Sequence, residues 1–245
     1  MPEDYYLALN KLILDSKFRI NMSALYIGTG KKEKFLLDRI NSKLESNKDI
    51  KVNILVDYMR GTRENRKQES TKSMLAELCN RNSNHKFLRC GLFHQPYKTR
   101  VLSNVTPSVV HEVLGVHHIK AHVFDNNVLI TGANLSEDYF TNRQDRCYII
   151  RESPHVANYF DDLINTLTNN SFHVTNDLGL ELQKYYPNPK IKVNEFKNVL
   201  SHQIKLFRYS NKTNVHTGQK LTADDYFFGN KDEARPLLAN GMEDG

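Results

Sequence analysis

The chain has 245 residues, 39% of them hydrophobic and 25% charged. That excludes a disordered polymer and leaves room for one folded domain, or at most two, with a core that needs neither disulfides nor a structural metal. Net charge is +6, from 34 Lys and Arg against 28 Asp and Glu, with a pI near 9.1, and no run of 18 apolar residues occurs. A spanning helix is therefore not expected, and the basic surface suits phosphate-bearing partners: nucleotides, anionic lipid headgroups or nucleic acid.

In chain order, Tyr5 to Ser16 carries Leu7, Leu9, Leu12 and Leu14 in a rough helical rhythm. Phe18 to Ile27 alternates like a strand. Lys32 to Ser46 is a second helix, with Phe35, Leu36, Ile40 and Leu44 on one face. Val52 to Val56 is a continuous apolar run, as in a strand buried on both faces. A helix over Ser70 to Asn80, through Met74, Leu75 and Leu78, and a strand over Phe87 to Phe93 follow. This β-α-β-α-β rhythm predicts an α/β sandwich, a mixed sheet flanked by helices.

The pattern then changes. Val116 to Phe124 and Val128 to Thr131 are β-rich runs separated by Asn126-Asn127, a tight-turn signal. Cys147 to Ile150 is a short strand, Pro154 to Leu167 a helix with Pro in its first turn, and Phe172 to Leu182 extended. Pro187-Asn188-Pro189 breaks the chain, a short helix is expected between Val193 and Leu206, and residues 211–245 read as linker or frayed tail. No internal repeat is present.

Three cysteines, Cys79, Cys90 and Cys147, are too few and too scattered for a disulfide framework or a four-thiolate zinc site, and point to a reducing compartment. The N-terminal Met1-Pro2-Glu3-Asp4 is neither a secretory signal nor an Arg-rich transit peptide.

The strongest chemical signal is His118-Ile119-Lys120-Ala121-His122-Val123-Phe124-Asp125, followed by Thr131-Gly132-Ala133-Asn134. His118 and Lys120 are two apart on an expected strand and so share a face. A neutral imidazole beside an ammonium handles phosphate: the Lys neutralises nonbridging oxygens, and the His attacks phosphorus or moves a proton. The hairpin returns Asn134 to the same neighbourhood, where its amide can donate to a phosphate oxygen. A shuffled chain of this composition shows His-x-Lys-x4-Asp with an expectation of about 0.05.

His-x-Lys-x4-Asp with a trailing Gly and Asn resembles the phospholipase D superfamily. Residues 22–30, 55–63 and above all 132–146 (Gly132-Ala133-Asn134-Leu135-Ser136-Glu137-Asp138-Tyr139-Phe140-Thr141-Asn142-Arg143-Gln144-Asp145-Arg146) resemble, more closely, its eukaryotic CDP-diacylglycerol–glycerol-3-phosphate 3-phosphatidyltransferases. The resemblance runs from about residue 5 to about residue 208. It implies a phospholipase D-like fold and exchange of CMP on CDP-diacylglycerol for glycerol 3-phosphate, in phosphatidylglycerol and cardiolipin synthesis at the mitochondrial inner membrane. It also implies a ping-pong mechanism in which one His takes the phosphatidyl group and another protonates the leaving group, with no metal and no cofactor.

Carried over residue by residue, His118, Lys120 and Asp125 occupy the catalytic motif, with His118 as nucleophile or acid/base. Lys120 and Asn134 would hold phosphate. Asp125, at the strand end, is expected to fix the hairpin more than to touch substrate, and Asp145 to orient His118 and set its tautomer. Arg60 and Arg63, after a buried strand, are candidates for a substrate phosphate or, equally, an ordinary charged turn. Arg143 is a third phosphate candidate, with a salt bridge to Asp138 or Asp145 as the alternative. The run Arg60 to Lys67 offers peripheral contact with an anionic membrane, or a solvated loop. His122 shares the His118 face and is expected to be structural or solvent-facing, with a place in the pocket lining as the alternative. Tyr26 to Lys31 lacks the Walker spacing and reads as a Gly-rich turn.

Two departures stand out. The Asn follows the Asp by nine positions, where the superfamily usually has ten. His118 is also the only His with Lys two residues later, so there is no second motif. The chain thus reads as a single-motif domain over residues 1–186 with a linker over 187–245, the start of a missing second half. A homodimeric phosphodiesterase of nuclease type and an inactive truncated product are the alternatives. Nucleic acid is disfavoured, because no aromatic-basic interleaving for base stacking is present.

Overall fold

The computed structural model describes residues 1–96 and 115–211. Helix α1 (Pro2–Asp15) leads into β1 (Arg19–Ala24), followed by α2 (Lys31–Ser46), β2 (Lys51–Asp57), the one-turn α3 (Tyr58–Gly61), α4 (Thr71–Arg81) and β3 (Leu88–Phe93). After the undescribed stretch come β4 (Ala121–Phe124), β5 (Asn127–Thr131), α5 (Glu137–Thr141), β6 (Cys147–Ile150), α6 (Pro154–Asn169), β7 (Phe172–Val174), β8 (Leu180–Glu181) and α7 (Val193–Ser210). Met1–Lys197 forms one compact unit, and a second begins at Asn198, within α7. The expected tail from residue 212 onward lies outside the described residues.

The eight strands form one mixed sheet in the order β6-β5-β4-β1-β2-β3-β7-β8. β1, β2 and β3 are parallel; β4 runs antiparallel to β1, and β5 and β6 continue antiparallel. The parallel core is buried on both faces, so β2 reads as an unbroken apolar run. On one face, Ile20, Met22, Ile54, Cys90, Leu92, Phe124 and Leu129 share a core with Leu9, Ile13, Leu36, Ile40, Leu44 and Leu75 of α1, α2 and α4. α4 starts on a capping box, the Ser70 hydroxyl accepting from Ser73 N–H.

The other face is partly polar. Asn21, Asn53 and Arg89 stand in register across β1, β2 and β3. Asn53 Nδ2 donates to Asn21 Oδ1 at 3.1 Å and, on α6, to Asn165 Oδ1 at 3.2 Å and Thr168 Oγ1 at 3.0 Å. Arg89 donates to Asn165 and Asn169. Residues 161, 165, 168 and 169 recur at helical spacing, so one stripe of α6 answers one polar row of the sheet.

Several expectations are corrected. The strand expected over Val116 to Phe124 is only Ala121–Phe124. Residues 115–120 leave the ladder because their backbone groups bond to side chains: His117 N–H donates to Asp57 Oδ2 at 2.8 Å, and Ile119 C=O accepts from Ser23 Oγ at 3.0 Å. The hairpin turn is Asp125–Asn126, one residue earlier than expected, with Asn127 paired to Phe124 and Asp125 at φ 52. Phe172 to Leu182 is a β7–β8 hairpin, not one extended segment. Leu7, Leu14 and Phe35 are exposed; Tyr5, Ile13 and Leu37 take core places, and Phe35 lies under the Arg39 guanidinium at 4.7 Å.

His122 is fully buried, not solvent-facing, between Met22 and Leu129 in the sheet, and neither ring nitrogen has a partner. Burial, then the charge of Lys120, pushes its pKa down to about 3. The folded state therefore binds this proton less readily than the unfolded chain. The corresponding stability is complete above pH about 6.5 and is lost as pH falls toward the folded value. His122→Leu is expected to flatten the fall in Tm between pH 7 and pH 4, measured by circular dichroism. An unchanged slope would refute this source of acid sensitivity.

Candidate active site

β4 runs antiparallel to β1, so its start lies beside the C-terminal ends of the parallel strands. That end of the sheet, where α/β folds place ligands, gathers Asp57, the Tyr58–Gly61 turn, His94, His117, His118 and Lys120. Thr131 N–H donates to Lys120 C=O at 3.2 Å, carrying the Thr131–Asn134 segment to the same place. A parallel bridge between Ile27 and Leu135 and the Gly28 N–H to Leu135 C=O bond at 2.7 Å fix it from the other side.

Lys120 and His118 are brought together. Lys120 is 5% exposed, and its Nζ stands 3.2 Å from both Nδ1 and Nε2 of the exposed His118 ring. Burial, then Lys120, lowers the His118 pKa; burial lowers that of Lys120, opposed by the charge of Asp145. An exposed imidazole held neutral beside an ammonium can take up an electrophile or a proton while the ammonium faces phosphate oxygens.

His117, next in the chain, points away into the protein. Its Nε2 lies 2.7 Å from Ser23 Oγ, and that hydroxyl donates to Ile119 C=O. The serine hydrogen is therefore committed, which assigns Nε2 of His117 as the donor. Burial, then Lys120 and His118, pushes its pKa down to about 4, so it is a neutral structural partner. Asp57, 1% exposed, accepts from Arg60 N–H at 2.9 Å as well as from His117 N–H, and burial raises its pKa. Sequence reasoning misses Asp57; its place at the end of a buried parallel strand, directly before the Arg60 turn, is the signal that could have found it.

The remaining candidates sit as follows. Asn134 is buried, with Oδ1 lacking a partner. Asp125 lies at the far end of β4 from His118 and accepts from the N–H groups of Lys17, Phe18 and Arg19 at 2.8, 2.8 and 3.0 Å. It ties the hairpin to the start of β1. Asp145 accepts from Arg146 N–H at 2.7 Å and makes no hydrogen bond to His118; its charge acts on Lys120 instead. Arg143 pairs with Asp138 at 3.6 Å and lies 4.6 Å over the Tyr139 ring. With Asp145, Thr131, Ala133 and Tyr5 it lines a cavity of about 270 Å³. Arg60 stacks over Tyr26 at 5.0 Å, and Arg63 is exposed just beyond. Among the described residues no group of three or more His, Cys, Asp or Glu could hold a metal, and no helix is long and apolar enough to cross a membrane.

The close fit of Gly132 supplies a test. A Cβ there would lie 2.6 Å from both carboxylate oxygens of Asp145. In Gly132→Ala the exposed carboxylate must swing away, and Lys120 loses the charge that supports its protonation. The expected outcome is an unchanged Tm with turnover down about tenfold, a loss of about 1.4 kcal/mol of transition-state stabilisation. Full turnover in this variant would show that Asp145 has no part in the site.

No family model matches the chain. It is 40% identical over 200 residues to a Dictyostelium discoideum protein named as a CDP-diacylglycerol–glycerol-3-phosphate 3-phosphatidyltransferase, a match over 81% of this chain and 34% of the relative. The mitochondrial enzymes of that name from Cricetulus griseus and Homo sapiens are 36% and 34% identical over 188 residues, each match covering 74% of this chain and 32% of the relative. Phosphatidylserine synthase from Haemophilus influenzae shares the fold, with a TM-score of 0.59 and 22% identity over 84% of this chain and 42% of that one. The chain spans about a third of the length of the curated relatives it matches. It shares the mixed α/β fold of that synthase, and over most of its length it is similar in sequence to proteins named as CDP-diacylglycerol–glycerol-3-phosphate 3-phosphatidyltransferases.

Proposed function

We propose that the His118–Lys120 end of the sheet takes part in moving a phosphatidyl group from CDP-diacylglycerol to glycerol 3-phosphate, releasing CMP and giving phosphatidylglycerophosphate. The observation that carries this reading is the buried ammonium of Lys120, 3.2 Å from both nitrogens of an exposed neutral imidazole. The relatives' names supply the substrates.

In this reading Lys120 neutralises the nonbridging oxygens of the phosphate under attack, with Asn134 beside it. His118 serves one of two roles. As nucleophile, a ring nitrogen bonds to phosphorus while the P–O bond to CMP breaks, the Lys120 ammonium turning to the phosphate oxygens; the glycerol hydroxyl then attacks phosphorus, and the P–N bond breaks. As acid/base, it moves the proton between leaving group and incoming hydroxyl. Either route requires a second proton-handling group at the same phosphorus, provided by adjoining sequence or by a second copy of the chain. Asp125 supports the site as a fold anchor, not as a group in contact with substrate. Arg60 and Arg63, at the same strand ends, suit the pyrophosphate of the donor or a membrane headgroup. Arg143, on the cavity beside Asp145, suits the acceptor's phosphate. The mitochondrial relatives suggest action at the mitochondrial inner membrane, with this basic rim touching anionic lipid.

Acceptor choice tests the reading. In mixed micelles of CDP-diacylglycerol, CMP release is expected to depend on glycerol 3-phosphate and not on glycerol. Hydrolysis of DNA or of a simple phosphodiester, without CMP release, would overturn it in favour of the nuclease type.

A further inference from the structure

The Gly-rich turn between β1 and α2 makes room for a buried carboxylate. Glu33, in the first turn of α2, is 1% exposed. Its Oε1 accepts from the N–H of Glu137, the first residue of α5, at 2.5 Å. Ser136, at the N-cap position of α5, makes no cap bond of its own, and its buried hydroxyl has no partner. The N-terminus of α5 is therefore capped from 104 residues away. Both glycines of Gly28-Thr29-Gly30 permit this approach. A Cβ on Gly28 would collide with Glu33 Oε1 and lie 3.0 Å from Ser136 Cβ; one on Gly30 would lie 2.7 Å from Glu33 Oε2 and 2.6 Å from Glu137 Oε2.

The same turn holds the arm that follows Gly132. Gly28 N–H donates to Leu135 C=O at 2.7 Å, beside the Ile27–Leu135 bridge. Ile27 is itself fixed by Thr71, whose Oγ1 accepts from Ile27 N–H at 3.1 Å and donates to Ile27 C=O at 2.6 Å. Asn134 lies in this arm, buried, and its Oδ1 has no partner, so the backbone of the arm sets where the amide points. Burial raises the Glu33 pKa, and Glu137 N–H opposes that rise.

We propose that Glu33 is a positioning residue for the phosphate site: it fixes the arm over residues 132–137 against the Gly28–Gly30 turn and so places the Asn134 amide beside Lys120. This rests on the proposed function, in which Asn134 and Lys120 hold phosphate. The Glu33 carboxylate touches no substrate and acts only through the arm.

The test uses the full 245-residue chain with inorganic phosphate as the probe. NMR of the His118 imidazole reads phosphate binding, and hydrogen exchange reads the Glu137 amide. Glu33→Leu fills similar space with no acceptor. Its Glu137 amide is expected to lose protection, and phosphate to bind about 10- to 100-fold more weakly, the worth of one hydrogen bond to a charged group. Glu33→Gln keeps the acceptor oxygen and should restore both. Asn134→Ala should weaken phosphate by as much, and the double variant no further, because the carboxylate acts through the amide. Should Glu33→Leu fail to fold, Gly28→Ala pushes the same carboxylate from its seat and is expected to show the same two changes. Native exchange at Glu137 in Glu33→Leu, or wild-type phosphate binding despite lost protection, overturns the proposal and leaves the proposed function standing. Effects of Glu33→Leu and Asn134→Ala that multiply do the same. Phosphate that binds Asn134→Ala as it binds the wild type, or that shifts no His118 resonance in any chain, overturns the phosphate reading of the site and this proposal with it.

Discussion

Replacing Lys120 by methionine is expected to remove turnover while leaving the fold as stable as before, or more so. Lys120 is 5% exposed, and its nearest polar partner is a neutral ring, not a carboxylate. Burial already lowers its pKa, with Asp145 opposing only through its charge. Methionine fills similar space without a charge to desolvate. Exchanging a poorly compensated buried charge for a packed apolar group is neutral or stabilising by about 1–4 kcal/mol, or roughly 2–4 °C in Tm for each kcal/mol at this size. The chemical loss runs the other way, because a preorganised charge on a phosphate oxygen contributes about 10²–10³ in rate. His118, freed from its neighbour's charge, should titrate at higher pH, which NMR of the imidazole would read. A Lys120→Met chain that unfolds, or that turns over normally, would contradict the assignment of Lys120 to phosphate.

Asp125→Asn is expected to do the reverse. The carboxylate accepts three backbone N–H groups at the entry to β1. Asparagine keeps one acceptor oxygen and turns an NH2 group toward Lys17 N–H, donor against donor. Asparagine also tolerates φ 52 at this turn position, so the backbone itself is not strained. Losing one charge-assisted bond and leaving a donor unmet costs about 2 kcal/mol, roughly 4–8 °C in Tm. Turnover measured well below the transition should stay within about twofold of wild type, since a group that only anchors the fold does not touch the reacting atoms in the transition state. Together the two variants separate the lysine and the aspartate of one motif into a chemical and an architectural role. A stable but inactive Asp125→Asn would return the aspartate to the site.

The parallel half of the sheet is legible in the sequence because buried strands and amphipathic helices leave continuous and 3.6-periodic signals, as in Val52–Val56 and over Leu36, Ile40 and Leu44. What is not legible depends on partners distant in sequence. The segment before β4 reads as strand from its apolar residues, but Asp57 and Ser23, 60 and 96 residues away, take its backbone groups instead. The turn lies at Asp125–Asn126 because the Asp125 carboxylate is claimed by residues 17–19. The short helices α3 and α5 are too brief to show a period. At the site, the spacing of His118 and Lys120 announces their encounter, and the hairpin pattern places the Gly132–Asn134 return. The expected Asp145–His118 bond rests on family resemblance alone. In this structure the carboxylate is held by Arg146 N–H and packed against Gly132, and its charge favours the protonated form of Lys120.

Everything proposed for this site turns on whether the His118–Lys120 pair acts on the phosphate of CDP-diacylglycerol. The most direct test is CMP release from CDP-diacylglycerol with glycerol 3-phosphate, comparing the wild-type chain with His118→Ala at matched Tm. An exposed imidazole contributes little to stability, so the two proteins should melt together. CMP release should nevertheless fall by at least about 10³-fold, whether the ring is the nucleophile or the proton carrier. CMP release that survives intact in His118→Ala, under conditions where the wild-type sequence releases CMP, would contradict the account.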